Sequence, residues 1–156
     1  MLAGKLPFIV KPNPLLGTWR LKKYVVTTAA GERPTPYGDN PTGYLSYSAD
    51  GRMQVIVAAN GRIAPDGVAS LDSDRVSLYD TMFAYAGTYS MEADKIIHHI
   101  DISWNETWTG TDQSRLFELN GNTLTLTARI PDPVTGTEAH YAAVWEKVAN
   151  PLIAAC

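Results

Sequence analysis

The chain has 156 residues, 45% of them hydrophobic and 19% charged, which fits one soluble globular domain and excludes disordered and fibrous chains. Thirteen Lys and Arg against sixteen Asp and Glu leave a net charge of −3, so a domain that works by neutralising phosphates is excluded and no nucleic-acid partner is expected. Cys156 is the only cysteine, which rules out an internal disulfide framework and a cysteine-based zinc cluster.

Residues 1–16 carry Pro7, Pro12 and Pro14, each without a backbone donor, so they read as an irregular arm. The apolar part of Met1 to Val10 is broken by Pro7 and is too short for a secretory segment. Nothing later approaches the ~20 apolar residues of a membrane span, so the expected location is cytoplasmic, with no membrane partner. From Gly17 onward, short stretches of β-branched and aromatic residues alternate with turn residues, the pattern of an antiparallel all-β domain over 17–148, followed by a tail at 149–156.

Eight strands are predicted: Thr18–Thr27, Gly43–Ser48, Arg52–Ala58, Ala86–Met91, Lys95–Trp104, Asp112–Leu119, Thr123–Arg129 and Glu138–Val148. Asp50-Gly51 and Asn120-Gly121-Asn122 can take the positive φ angles of tight hairpin turns. Between the third and fourth strands, Leu71, Arg75, Leu78, Tyr79, Met82 and Phe83 recur at helical spacing behind possible caps at Ser70 or Asp72. That predicts one short helix at about 70–84 across a mouth or side of the sheet. Eight sequential strands of this length can close into a barrel, either packed solid or holding one small ligand.

Gly17-Thr18-Trp19 resembles the Gly-x-Trp of lipocalins. With Leu16 to Leu21, Pro41 to Tyr47, Asp50 to Met53, Ala84 to Tyr89, His98 to Asn105, Gly110-Thr111, Arg115 and Val144-Trp145-Glu146, the chain is similar to the lipocalin-like domain family of bacteria and fungi over about 15–148. The resemblance implies an eight-stranded antiparallel barrel around a central cavity. It also implies kinship with barrels of natural-product pathways that act as cyclases, isomerases or Diels–Alderases, but it carries no catalytic residue over.

Candidate site residues therefore come from the strands themselves. On the fifth predicted strand, Ile96, His98, Ile100, Ile102 and Trp104 share one face and Ile97, His99, Asp101 and Ser103 the other. If the first face points inward, His98 is a desolvated, neutral imidazole able to act as acid, base or hydrogen-bond donor; the plainer reading is a satisfied core histidine. His99 then points outward. Because adjacent strand residues face opposite ways and His140 has no ligating partner nearby in sequence, no metal and no other cofactor are expected.

On the sixth strand, Gln113, Arg115 and Phe117 alternate with Asp112, Ser114, Leu116 and Glu118, and either set buries something awkward. Inward, Gln113 and Arg115 are donors for a carbonyl, phenolate or carboxylate. The alternative for Arg115 is to stack over Trp19 and close one barrel end, as the arginine of lipocalins does. Candidate pocket residues are Tyr47, Tyr85, Tyr89, Trp104, Phe117, Tyr141 and Met53, with Trp19 and Trp145 structural. His98, Tyr89 and Gln113 are the candidate catalytic groups, and Tyr47, Tyr85, Trp104, Arg115, Phe117, Tyr141 and Met53 the candidate ligand contacts.

No Gly-x-Ser-x-Gly elbow, dinucleotide-binding glycine motif or phosphate-binding loop is present, which disfavours hydrolytic and nucleotide-dependent chemistry. The expected partner is a hydrophobic or aromatic small molecule. Two functions need the same cavity: a cofactor-independent cyclase or isomerase of secondary metabolism, and a non-catalytic carrier.

Overall fold

A computed structural model describes residues 12–67, 71–131 and 136–152. Nine strands form one antiparallel sheet: β1 (Gly17–Thr28), β2 (Gly31–Arg33), β3 (Thr42–Tyr47), β4 (Arg52–Ala58), β5 (Met82–Glu92), β6 (Lys95–Ser103), β7 (Asp112–Asn120), β8 (Thr123–Pro131) and β9 (Glu138–Lys147). Their order is β2-β1-β3-β4-β5-β6-β7-β8-β9, and β1 also pairs with β9, which closes the sheet into a barrel. Eight strands make the wall, as expected. The ninth, β2, is a three-residue hairpin partner of the far end of β1, with Thr28 opposite Gly31.

Two irregularities aim the side chains. Along β1, Trp19 and Leu21 are buried at odd positions, but Tyr24 and Val26 turn inward at even ones. Leu21 pairs with Trp145 and Lys23 with Val144, so Lys22 is an inserted residue that reverses the phase of the strand. On β6, Ala86 pairs with Ile102 and Gly87 with Ile100, which leaves Asp101 inserted. The predicted five-residue inward face of β6 therefore ends early: Ile96, His98 and Ile100 are buried, whereas Ile102 is 64% exposed on the outside. Gly87 sits at this insertion, where the β6 backbone approaches so closely that an ideal Cβ would lie 1.8 Å from the carbonyl oxygen of His99.

The connections sort the barrel into two ends. The hairpins β3–β4, β5–β6 and β7–β8 turn at the end where β1 begins and β9 finishes, with Gly51 at φ 84° and Gly121 at φ 58° in two of the predicted turns. That end is filled. Leu15, Trp19, Tyr47, Met53, Ile96 and Leu124 are all essentially buried, and the Trp19 indole donates to the Leu15 carbonyl at 2.9 Å. The described part of the predicted arm thus plugs this end, while residues 1–11 and 153–156 lie outside the described residues.

The cation over Trp19 is not Arg115. Lys147, at the end of β9, holds its ammonium 4.6 Å from the Trp19 ring centroid and donates to the Leu16 carbonyl, because β9 ends directly beside the start of β1 while Arg115 lies across the barrel on β7. Partial burial lowers the pKa of Lys147. Lys147→Met should lower stability by about 1 kcal/mol through loss of the cation–π contact and the carbonyl hydrogen bond, read from a denaturant midpoint. An unchanged midpoint would count against this closure.

The predicted helix is shorter than expected. It spans Asp72–Asp80 (α1), and Met82 and Phe83 open β5 instead of continuing it, because they pair with Ala58 and Val57 of β4. The cap is Leu71, whose N–H donates to the Asp74 carboxylate at 3.0 Å; Ser70 lies outside the described residues and Asp72 is the first helical residue. α1 buries none of its residues, and Tyr79 touches the barrel at Trp104 with 5.9 Å between rings. Among the described residues, no helix is long and apolar enough to cross a membrane.

Candidate functional site

The end opposite the plug is open to a cavity of about 590 Å³. Its wall combines residues such as Val26, Leu45, Val55 and Leu126 with groups nearer the open end: Arg33 of β2, Thr35, Pro36 and Tyr37 after it, Trp108 after β6, and Ile130 and Pro131 at the end of β8. Tyr24, Tyr37 and Phe83 form an aromatic cluster on this wall, with Tyr37 edge-on to Tyr24 at 5.5 Å and to Phe83 at 5.2 Å. Trp108 packs 5.7 Å from Tyr85.

His98 is the buried polar group of this interior, only 1% exposed. It borders the cavity from β6, and both ring nitrogens are engaged: Nε2 with the Tyr47 hydroxyl at 2.8 Å and Nδ1 with the Tyr85 hydroxyl at 3.0 Å. Desolvation, with a smaller contribution from the positive field of Arg115, lowers its pKa to about 3, so the imidazole is neutral and carries one N–H. The same burial raises the pKa of the Tyr47 and Tyr85 phenols.

A neutral imidazole donates from one nitrogen and accepts at the other. Tyr47 is fully buried and His98 is its sole hydroxyl partner among the described residues, so the arrangement that leaves no buried proton unpaired has Tyr47 donating to Nε2. Nδ1–H then donates to the Tyr85 oxygen. Tyr85 borders the cavity and Tyr47 does not, and in this arrangement the Tyr85 hydroxyl proton has no acceptor among the described residues.

On β7 the inward set is Gln113, Arg115 and Phe117, which pairing with β6 decides: Gln113 lies opposite His98 and Arg115 opposite Ile96. Gln113 and Arg115 both line the cavity. The Gln113 side-chain amide donates to Thr111 at 3.2 Å, and the Arg115 guanidinium donates to the Ser114 carbonyl at 2.9 Å and meets no carboxylate among the described residues. Tyr141 lines the cavity from β9.

The remaining candidates lie elsewhere. Tyr89 is on the plugged side of His98, where its hydroxyl donates to the Ser48 carbonyl at 3.0 Å and accepts from the Asn13 amide at 2.8 Å; it supports Tyr47, 4.9 Å away, and does not border the cavity. Met53 is buried in the plug and Phe117 packs against the core. Trp104 follows the Asp101 insertion and contributes to an outer groove, not to the inner wall. His99 faces outward, 2.7 Å from Asp112 and 2.9 Å from Ser90.

Tyr24 and Tyr37 line the cavity without having been singled out from the sequence; Phe83, expected on the helix, lines it from β5, and Trp108 lines it from the turn after β6. For Tyr24 a signal existed: the apolar phase changes from Trp19 and Leu21 to Tyr24 and Val26 across Lys22-Lys23, the mark of an inserted residue. The outer groove, of about 600 Å³, is floored by Ala84 and Ala86 between Tyr44 and Ile56 on one side and Ile102 and Trp104 on the other. Its lining includes no imidazole or charged group, whereas the inner cavity is lined by His98, Gln113 and Arg115.

A closed antiparallel barrel, plugged at one end and hollow at the other with a few polar groups in an apolar wall, is the architecture of a small-molecule-binding calyx. The chain belongs to the lipocalin-like domain family, whose family model matches residues 16–148. Comparison with curated proteins finds no match.

Proposed function

We propose that this barrel is a cofactor-independent cyclase or isomerase that folds an apolar or aromatic small molecule in its cavity, with a role in secondary metabolism. The observation that supports the reading is His98 held between Tyr47 and Tyr85, which leaves the Tyr85 hydroxyl proton to a guest in the largely aromatic and aliphatic hollow. Aromatic walls impose a reactive conformer, and well-oriented placement can contribute about 7–11 kcal/mol without any covalent partner. Tyr85, with Gln113 as a second donor, polarises an oxygen of the substrate as charge develops on it. His98 is a positioning residue that fixes the direction of the Tyr85 hydroxyl.

The direction of the pKa shifts narrows the chemistry. Burial disfavours both imidazolium at His98 and phenolate at Tyr47 and Tyr85, so full proton transfer along this chain would create a charge the site does not stabilise. Hydrogen-bond donation is what it can supply, and that suits pericyclic closure better than a tautomerisation that passes through a protonated histidine. Tyr85→Phe should lower kcat for the substrate roughly 100–1,000-fold with little change in KM, the range expected for loss of one transition-state hydrogen-bond donor. Tyr89→Phe should leave turnover unaltered. Full activity of Tyr85→Phe would remove the proposed role of this chain of groups.

A specific feature also favours the carrier. Both nitrogens of His98 are satisfied within the protein, so no free base faces the ligand. Measuring conversion of a bound reactive polyene with and without protein separates the two: acceleration supports the enzyme, and binding with no acceleration supports the carrier.

A further inference from the structure

We propose that the cavity is selective for small molecules that carry an anionic acceptor group, a carboxylate, enolate or phenolate, which Arg115 holds while the apolar body lies against the aromatic wall. The inference rests on the small-molecule reading of the same cavity and names the class of ligand. Its basis is an imbalance of charge and of hydrogen-bonding groups. Within a protein of net charge −3, the described residues that line the cavity include no acidic side chain, and the two charged ones among them are arginines, Arg33 and Arg115. Arg115 sits half-buried on the inward face of β7, and its guanidinium hydrogen-bonds only to a neighbouring backbone carbonyl among the described residues, which leaves most of its five donors without an acceptor.

The other polar groups around it lack acceptors in the same way. The indole N–H of Trp145, a cavity-lining residue that is 3% exposed, has no acceptor among the described residues. The Tyr85 hydroxyl, once it accepts from His98, has a proton to donate. A guanidinium and a hydroxyl therefore border one hollow that offers them no anion among the described residues, and a buried, unpaired indole N–H lies within its wall. A neutral apolar guest would leave these donors unpaired on desolvation, at a cost an acceptor-bearing guest avoids. An anion additionally gains the charge-assisted bonds that a guanidinium makes best.

Two fluorescent probes that share an aromatic body, anionic anilinonaphthalene sulfonate and neutral N-phenylnaphthylamine, test the assignment by titration against the wild-type chain and its variants. Arg115→Gln should weaken the sulfonate at least about 10-fold while changing the neutral probe by less than about 2-fold, and Arg115→Lys should retain part of the sulfonate affinity. Equal effects on both probes, no effect on either, or loss of the sulfonate in Arg33→Gln instead of Arg115→Gln would overturn it.

Ala143→Trp, which fills the cavity from β9, tests the underlying reading separately. If it displaces the neutral probe while Arg115→Gln spares the sulfonate, the cavity reading stands and the anion inference fails. If it displaces neither probe, both bind elsewhere, as in the outer groove, and the cavity reading itself fails.

Discussion

Gly87→Ala should destabilise the barrel by roughly 2–4 kcal/mol, one of the largest effects available from a single added methyl group. The position has an ordinary φ, so the effect does not come from backbone preference. It comes from space: the new Cβ would lie 1.8 Å from the His99 carbonyl oxygen and 2.8 Å from its carbon, and these are backbone atoms that cannot rotate away. Relief requires β6 to move at the point where Asp101 is inserted, and His98 is only one residue from the clash. The variant should therefore show a lower denaturant midpoint and also a disturbed Tyr47–His98–Tyr85 arrangement, visible as a changed imidazole nitrogen shift. A midpoint within about 1 kcal/mol of wild type would mean that the strands are not so closely apposed.

Stability should fall steeply on acidification, with His98 responsible for a separable part of the loss. In the fold this imidazole has its pKa lowered to about 3, against an ordinary value of 6.5 that it regains on unfolding. A group with a lowered folded pKa is neutral in the native state while the unfolded chain takes up a proton, so its contribution is intact above pH 6.5 and is lost progressively as pH drops towards 3. By pH 4.5 the loss from this one residue is roughly 2–3 kcal/mol. Asp101, whose carboxyl is held below its usual range chiefly by the Arg52 hydrogen bond, acts in the same direction at the acid end.

His98→Asn, which cannot take up a proton, should be less stable at neutral pH, because two buried hydroxyls lose their shared partner, yet show a shallower decline from pH 6.5 to 4.5. Nitrogen NMR of the wild-type protein gives a direct reading: His98 should remain neutral, protonated on Nδ1, throughout that range. An imidazole that titrates near 6.5 would show that this interior is wet and would remove the basis for a hydroxyl aimed by a fixed tautomer.

The strand assignments depended on local information and so could be read locally. Alternation of apolar residues with Asp50-Gly51 and Asn120–Asn122 between them specifies hairpins, because a tight turn fixes which residue faces which. Ile96, His98 and Ile100 could be assigned to one face for the same reason. β7 could not, since Gln113, Arg115 and Phe117 are as mixed in polarity as their neighbours; their direction is set by pairing with β6, which no window along β7 contains. Met82 and Phe83 continue the helical spacing of α1 yet enter β5, because the β4 edge offers them backbone partners and the helix offers no buried face.

By itself, then, the sequence determined that alternating strands joined by tight turns can close into a barrel and that His98 shares a face with Ile96 and Ile100, since turn chemistry and period-two alternation act over a few residues. Tertiary structure alone decided which side chains meet there. The insertions at Lys22 and Asp101 reverse the phase of two strands, closure of β1 on β9 gives Trp19 a lysine and frees Arg115, and the loops of the open end bring Tyr37 and Trp108 to the cavity. The physical reason is that these placements depend on backbone pairing between residues far apart in the chain, whose energies no local pattern encodes.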